Sequence, residues 1–173
     1  LTSGVRYDKY SDFGDTVNPR LALVWQSTEK LTSKLMYGEA FRAPAFQELF
    51  SETSRALPND QLDPEQSYTV DLSFTYAASK NVQWTLNLYK FEQTDIIQRI
   101  DVAGLPKKQF HNSSDHTTNG VEIELQWQLM DTLRLIANAT SLTQDDDEFQ
   151  LLQIPDKTAY ARIDWSFLPH WNW

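Results

Sequence analysis

The 173-residue chain contains no cysteine and only three histidines. The lack of cysteine excludes a disulfide framework and any thiolate-bound metal. Three scattered histidines offer little for a zinc centre. We therefore expect that the chain holds neither a metal nor a cofactor.

Basic residues are also scarce, since 24 acidic residues face 15 basic ones and leave a formal net charge of −9. A nucleic-acid-binding protein would be expected to show a basic patch, so the charge balance argues against that class. Apolar runs extend over a few residues, whereas a membrane-spanning helix needs roughly 20. A membrane role would therefore have to rest on β-strands.

Aromatic residues, by contrast, are abundant: they make up 13% of the chain and include six tryptophans. The mean hydropathy is nevertheless −0.53, which is polar on average. An aromatic excess within a polar sequence is typical of a barrel wall, where half of the residues face lipid and half face water.

Strict alternation of apolar and polar residues predicts the strands. From Ser67 to Tyr76 every second residue is apolar and every intervening residue is polar, the period expected of a strand with one buried or lipid-facing side. The same pattern recurs at 82–88, 120–127 and 160–167. Weaker strands are predicted at 1–10, 20–26, 31–41 and 133–143, which makes about eight in all.

The predicted connections alternate in length. Tight turns are expected at 27–30, 77–81, 129–132 and 168–171. Longer connections are expected at 11–18, 43–65, 94–109 and 144–157. Consecutive strands should therefore form antiparallel hairpins, with short turns at one end of a sheet and long loops at the other.

A soluble β-sandwich would also give each strand one apolar face. Several strands here reach about ten residues, the length that crosses a bilayer at a tilt, whereas ordinary strands average about five or six. Tyrosine and tryptophan also fall near strand ends, as in an interfacial girdle: Trp25, Tyr68, Tyr76, Trp84, Trp127 and Trp165. With the unequal connections, these features favour an all-β fold that is an antiparallel transmembrane β-barrel segment.

The most distinctive stretch is YGEAFRAPAFQELF, residues 37–50. Gly38, Ala40 and Arg42 should share one strand face, and small residues beside an arginine suit a crowded polar lumen. Pro44 ends the ladder because it lacks an N–H, and its fixed φ can begin a helical turn. We expect Phe46, Leu49 and Phe50 to lie on one side of that turn.

Four segments resemble the barrel of TonB-dependent outer-membrane receptors: FRAPAFQELF at 41–50, LPNDQLDPEQSYTVDLSF at 57–74, NGVEIELQWQL at 119–129 and IPDKTAYARIDW at 154–165. The resemblance implies a bacterial outer-membrane barrel of the roughly 22-stranded type. It also implies a plug domain, an N-terminal TonB box and an aromatic residue at the last strand. We expect residues 1–173 to be a partial barrel domain that lacks the plug and the C-terminal end.

The function that the resemblance implies is active import of a ferric siderophore, energised by TonB through the missing plug, with membrane lipid around the wall. Haem receptors of the family carry a histidine between the FRAP segment and an NPNL-like segment. Here the interval from Phe41 to Leu62 has no histidine, and the second motif reads NDQL at 59–62, which disfavours haem. Cobalamin and nickel-chelate receptors remain alternatives, and siderophore receptors form the largest class.

Receptors of this family hold chelates with basic and aromatic side chains from the lumen wall and the loops, because the chelates are often anionic with flat arms. The corresponding candidates are Arg42, Arg55, Arg99, Lys107, Lys108, Tyr10 and Phe110. The chain has no Ser-His-Asp order, P-loop or dinucleotide fingerprint, so we expect no enzymatic activity. A soluble all-β ligand-binding module and a porin without a plug are the rival classes.

We predict that the parent protein fractionates with the outer membrane and needs detergent for extraction, because its strands present apolar rows to lipid. Fractionation of the cells followed by immunoblotting measures this. Recovery from a periplasmic or secreted fraction without detergent would instead support the soluble module.

Overall fold

The computed structural model describes residues 1–145 and 155–167, which form a single sheet. Eight long strands lie side by side in sequence order, each antiparallel to the next: β1 Thr2–Tyr10, β2 Gly14–Thr28, β3 Leu31–Arg42, β5 Glu65–Ser79, β6 Val82–Ile100, β7 Lys108–Met130, β8 Leu133–Asp145 and β9 Lys157–Trp165. The connection between β3 and β5 contains a short helix, α1 Phe46–Phe50, and a two-residue strand, β4 Ala56–Leu57, which pairs in parallel with β7. In the described ranges, none of the helical structure is long and apolar enough to span a membrane.

The eight predicted strands are confirmed, but two predicted loops are wrong. The segment 11–18 is mostly strand, because the β1–β2 ladder continues up to the pair Tyr10↔Gly14. Gly14 has a φ of 92° at this tight turn, a backbone conformation that glycine adopts at little cost. Likewise, 94–109 is mostly strand, and the connection shrinks to 101–107. The predicted turn at 168–171 and most of the loop at 144–157 lie outside the described residues.

The outer face of the sheet is apolar. Its register aligns Leu23, Leu35, Leu72, Leu88 and Val121 in one row across five strands. Leu88 and Val121 are each 40% exposed, since no second layer covers this face within the described ranges. A sandwich core would bury these rows, so this face is built for contact with lipid.

Aromatic residues bound the apolar rows at both ends. At the end with the short turns, the side chains are Trp25, Tyr76, Trp84, Trp127 and Trp165, all on the outer face. At the other end, which we call the upper end, Tyr37 donates a hydrogen bond to Glu39 and Tyr68 donates one to Glu92. The Lys90 ammonium nitrogen lies 2.8 Å from a carboxylate oxygen of Glu92. These layers match the two interfacial girdles of a membrane barrel.

The inner face is polar. One row across the sheet consists of Lys34, Ser73, Asn87, Glu122 and Thr140. These residues alternate with the outer row because successive side chains of a strand point to opposite faces. Charged and hydroxyl groups on this side suit a water-filled or protein-filled lumen.

Two local features shape the wall. Gly120 lies directly opposite Tyr89, and the Tyr89 ring occupies the space where a side chain on residue 120 would begin.

Farther along the sheet, the β2–β3 ladder begins at the pair Arg20↔Gly38, whereas β2 stays paired with β1 as far as Gly14. Pro19, which has no N–H for a ladder bond, lies where β2 and β3 separate.

We predict that Leu88→Arg lowers the free energy of unfolding of the complete barrel in lipid vesicles by about 2–4 kcal/mol, because it places a charge in the apolar band. The matched control is Asn87→Arg, one residue away on the polar face, which should change it by less than about 1 kcal/mol. Urea titration of folded barrel measures both. Equal effects would mean that the two faces are assigned incorrectly.

Candidate functional site

Residues 43–64, which we call the strap, connect β3 to β5 at the upper end of the wall. Pro44 and Ala45 lead into α1, and the Glu48 carboxylate accepts a hydrogen bond of 2.7 Å from the Ala45 amide. This contact supplies an acceptor for an otherwise unpaired amide at the helix start. The helix predicted after Pro44 is therefore confirmed.

The side of the turn expected to hold Phe46, Leu49 and Phe50 is buried only in part. Leu49 is only 3% exposed, whereas Phe46 and Phe50 are 73% and 50% exposed. The two phenyl rings contact each other, with centroids 5.3 Å apart. Leu49 is therefore the residue of α1 that the surrounding structure buries.

The described ranges contain six buried apolar residues: Pro44, Leu49, Ala56, Leu62 and Pro64 in the strap, and Ile96 in β6. Ile96 lies opposite Ser114 of β7, on the same side as the polar row, so the strap covers the inner face of the wall. Such a small core leaves most of the anchoring to polar contacts.

An ion pair closes the base of the strap. Arg42, the last residue of β3, donates from Nε and Nη2 to the two carboxylate oxygens of Glu65 at 2.7 and 2.6 Å. Glu65 also accepts hydrogen bonds from the Ile97 amide at 2.8 Å and from Gln93 at 3.1 Å. Burial acts against the charge of Glu65, but Arg42 and the Ile97 amide outweigh it, so the Glu65 pKa lies below its ordinary value. The pair lies beyond the upper girdle, outside the lipid-facing band.

Side-chain amides tie the strap to β7. Asn59 donates to the Phe110 carbonyl at 2.9 Å, and Gln109 donates to the Pro58 carbonyl at 2.9 Å. Asn112 donates to the carbonyls of Asp63 at 2.9 Å and Asp95 at 2.7 Å, and accepts from the Asp63 amide at 3.0 Å. The sequence gives no sign of the roles of Asn112 and Glu65, because their partners are distant in the chain and no local pattern marks them.

The pairing of β4 with β7 brings three of the candidate cations into one region. Ala56 pairs with Lys108, which places Arg55 beside Lys107 and Lys108. The Lys107 ammonium group donates hydrogen bonds to the Glu52 carboxylate at 2.6 Å and to the Thr53 carbonyl at 3.0 Å. Lys108 is half exposed and lies 3.5 Å from Asp101.

Arg55 and Arg99 are exposed, and neither side chain has a hydrogen bond or ion pair to any described residue. Arg99 lies opposite Phe110 in the β6–β7 ladder. Phe110 in turn supplies the carbonyl that holds Asn59. A loosely paired basic group therefore surrounds the junction of the strap with β7.

Tyr10 lies apart from this group. Its ring stacks on that of Phe13, with centroids 4.4 Å apart, and approaches the Phe41 ring edge-on, with centroids 5.9 Å apart. Nearby, a cleft of 560 Å³ opens where β2 and β3 separate, and its charged lining residues are all acidic: Asp15, Glu39, Asp63 and Asp95. Such a lining disfavours an anionic ligand.

Comparison with known proteins places the fold. The family model described as TonB dependent receptor-like, beta-barrel matches residues 1–173. The chain belongs to the TonB-dependent receptor family. Members of this family are transport receptors of the bacterial outer membrane, so the resemblance and the compartment expected from the sequence are confirmed.

Three relatives of this TonB-dependent receptor segment carry names that refer to different molecules. Vitamin B12 transporter BtuB of Vibrio cholerae is 23% identical over 173 residues, which cover 96% of this chain and 27% of the transporter. Heme/hemopexin utilization protein C of Haemophilus influenzae is 26% identical, over 86% of this chain and 26% of that protein. Ferric enterobactin receptor PirA of Pseudomonas aeruginosa is 26% identical, over 95% of this chain and 26% of that receptor. The chain thus spans about a quarter of each.

The crystal structure of the siderophore receptor PirA from Pseudomonas aeruginosa superimposes with a TM-score of 0.75 at 23% identity, over 94% of this chain and 30% of that one. At this identity the match concerns the fold. The sheet is therefore a segment of a TonB-dependent receptor barrel wall, and the strap belongs to the rim of its lumen.

We predict that Asn112→Ala loosens the strap, because it removes three hydrogen bonds between strap, β6 and β7. The free energy of local opening at the Asp63 amide should fall by about 1–3 kcal/mol, measured by hydrogen exchange on the complete receptor. Asn119→Ala, an exposed site on the same strand, serves as the control. Unchanged exchange at Asp63 would show that Asn112 does not anchor the strap.

Proposed function

We propose that this chain is the wall and rim segment of a receptor that imports a ferric siderophore, with energy supplied by TonB through a plug domain. The observation that carries the proposal is the cluster of weakly paired cations at the upper end of a wall in an otherwise acidic chain. Ferric siderophores are often anionic, and charge-assisted hydrogen bonds from such cations would hold them.

Within this proposal, the seven candidate residues divide by environment. Arg55, Arg99 and Lys108 are exposed and weakly paired, so they are assigned to direct contact with the chelate. Phe110, opposite Arg99, is assigned to an aromatic contact with its flat arms. Lys107 is assigned a supporting contact because Glu52 already engages it.

Tyr10 and Arg42 have weaker claims to a direct contact. Tyr10 stands beside the acidic cleft and is assigned a peripheral role. Arg42 is held between two carboxylates. We therefore assign both residues to shaping the rim and not to direct contact with the cargo.

Haem and cobalamin are the alternatives within the family, and relatives of this chain include a vitamin B12 transporter and a heme/hemopexin utilization protein. The absence of histidine between Phe41 and Leu62 disfavours haem ligation by the strap. Cobalamin lacks the anionic iron centre of a ferric siderophore. The basic residues therefore support cobalamin less than they support an iron chelate.

Growth of a strain that lacks the parent protein tests the cargo class directly. The strain is supplied in turn with a ferric catecholate, a ferric hydroxamate, haemin as an iron source, and cyanocobalamin. We expect a defect on one ferric siderophore that the intact gene restores. A defect confined to haemin or to cyanocobalamin would replace the proposal with the corresponding alternative.

We predict that Arg55→Gln, Arg99→Gln and Lys108→Gln each weaken binding of ferric enterobactin, used as the probe, by about tenfold, or 1.4 kcal/mol. Each change removes one positive charge with little change in size, and the loss should shrink at high salt. Equilibrium binding to the complete receptor measures the effect. Lys80→Gln, in a short turn at the opposite end of the wall, is the matched control. Equal affinity in all four variants would remove these cations from the site.

A further inference from the structure

We infer that Arg42 and Glu65 are positioning residues: together they fix the strap where it presents its basic side chains to the cargo, and Arg42 does not bind the cargo itself. The inference deepens the proposed uptake function and rests on it for the nature of the cargo. The anchoring of the strap, however, can be measured without any ligand.

The position of the pair in the chain supports this role. Arg42 ends β3, Glu65 begins β5, and the two are direct partners in the ladder. Two parallel hydrogen bonds of 2.7 and 2.6 Å fix their relative orientation as well as their distance, as bidentate arginine–carboxylate pairs do. The pair therefore closes the strap at its base and sets the direction in which the chain leaves and re-enters the wall.

Arg42 and Glu65 also form hydrogen bonds with residues of other elements. The Arg42 guanidinium donates to Glu48 of α1 at 3.1 Å, which ties the helix to the end of β3. The Glu65 carboxylate accepts the Ile97 amide at 2.8 Å, which ties β5 to β6. A helix and three strands thus meet at one ion pair. The Glu65 side chain is only 6% exposed, so the loss of Arg42 would leave a buried charge without its main partner.

The local charge argues against a direct role of Arg42 in anion binding. Its single positive charge lies between the carboxylates of Glu48 and Glu65, so the three groups together carry a net charge of −1. An anionic chelate approaching this group would meet two fixed negative charges at short range. Arg55 and Arg99, which have no such partners in the described ranges, are the better sites for an anion.

The ion pair is one of several polar contacts that hold the strap, and it is the one that joins the two ends of the strap. The buried apolar residues of the strap are few: Pro44, Leu49, Ala56, Leu62 and Pro64. A shift of the strap would move Arg55 and would also free Lys107, whose contacts with Glu52 and the Thr53 carbonyl are contacts with the strap. The ion pair therefore acts on the cargo through the residues that it positions.

Hydrogen exchange on the complete, ligand-free receptor tests the anchoring. The probes are the amides of Thr53 and Asn59, which donate within the strap to the carbonyls of Ala56 and Glu48. Arg42→Lys, which keeps the charge but loses the bidentate geometry, and Glu65→Gln should each speed exchange at both amides by about tenfold or more. Lys90→Gln, which breaks an ion pair on the outer face, is the control and should leave both rates unchanged. Unchanged exchange in Arg42→Lys and Glu65→Gln would overturn the inference.

Binding of ferric enterobactin separates positioning from direct contact, because the two roles predict opposite results for Glu65→Gln. If Arg42 bound the chelate, neutralising Glu65 would free the guanidinium and keep or raise the affinity, and Arg42→Lys would retain much of it. If the pair positions the strap, each variant should weaken binding by about tenfold, and the double variant should be no weaker than either single one. Full or raised affinity in Glu65→Gln would refute the positioning role. If the parent receptor does not bind this probe, the binding experiment is repeated with the iron source that supports its growth, while the exchange rates decide by themselves whether the pair anchors the strap.

Discussion

The structure depends on the requirement that every backbone N–H and C=O of a lipid-exposed strand finds a partner in a neighbouring strand. In lipid no water can satisfy these groups, so the wall must be a continuous ladder one layer thick. Each residue then faces either lipid or lumen, and the register carries that choice from strand to strand. The leucine row on the outer face and the polar row that runs beside it follow directly. The apolar residues do not need a core, because the membrane takes its place.

Above the upper girdle water can satisfy the backbone, and a different kind of stabilisation takes over. The strap buries few apolar side chains, so its shape depends on contacts that are individually polar and directional. Side-chain amides of Asn59, Gln109 and Asn112 bind backbone carbonyls, and one ion pair joins the two ends. Hydrogen bonds of this kind specify a conformation because their geometry is narrow. The strap is therefore an ordered part of the rim even though its core is small.

The sequence predicted the membrane-crossing part of the wall well, because alternation is imposed there by lipid on one side and water on the other. From Ser67 to Tyr76 the predicted faces agree with the register, and Trp84 and Trp127 lie in the girdle as expected. Above the girdle both faces meet water, the alternation fades, and strand residues near 94–109 were predicted to be a loop. Proline chemistry predicted the start of α1, but tertiary packing decides which of its apolar residues is buried, and this residue is Leu49.

The candidate site was predicted in outline only. Composition and family resemblance pointed to the basic residues, and the structure brings Arg55, Lys107 and Lys108 together through the short strand β4. Which cations already have partners depends on contacts between distant segments. Glu65 faces Arg42 across the whole strap, and Glu52 approaches Lys107 from a different strand connection. A single sequence carries no local sign of such pairings.

The separation of β2 from β3 at Pro19 opens a gap between two strands of the wall. From Gly14 to Pro19, β2 stays paired with β1, while β3 continues to Arg42 with β5 on its other side. Across the gap, Tyr10 contacts Phe41 through the edge-on approach of the two rings. Such a break in the ladder would leave costly unpaired backbone groups within lipid, but above the girdle water can satisfy them. The acidic cleft opens at this gap, so the point where the ladder gives up hydrogen bonds is also the point where carboxylates gather in the wall.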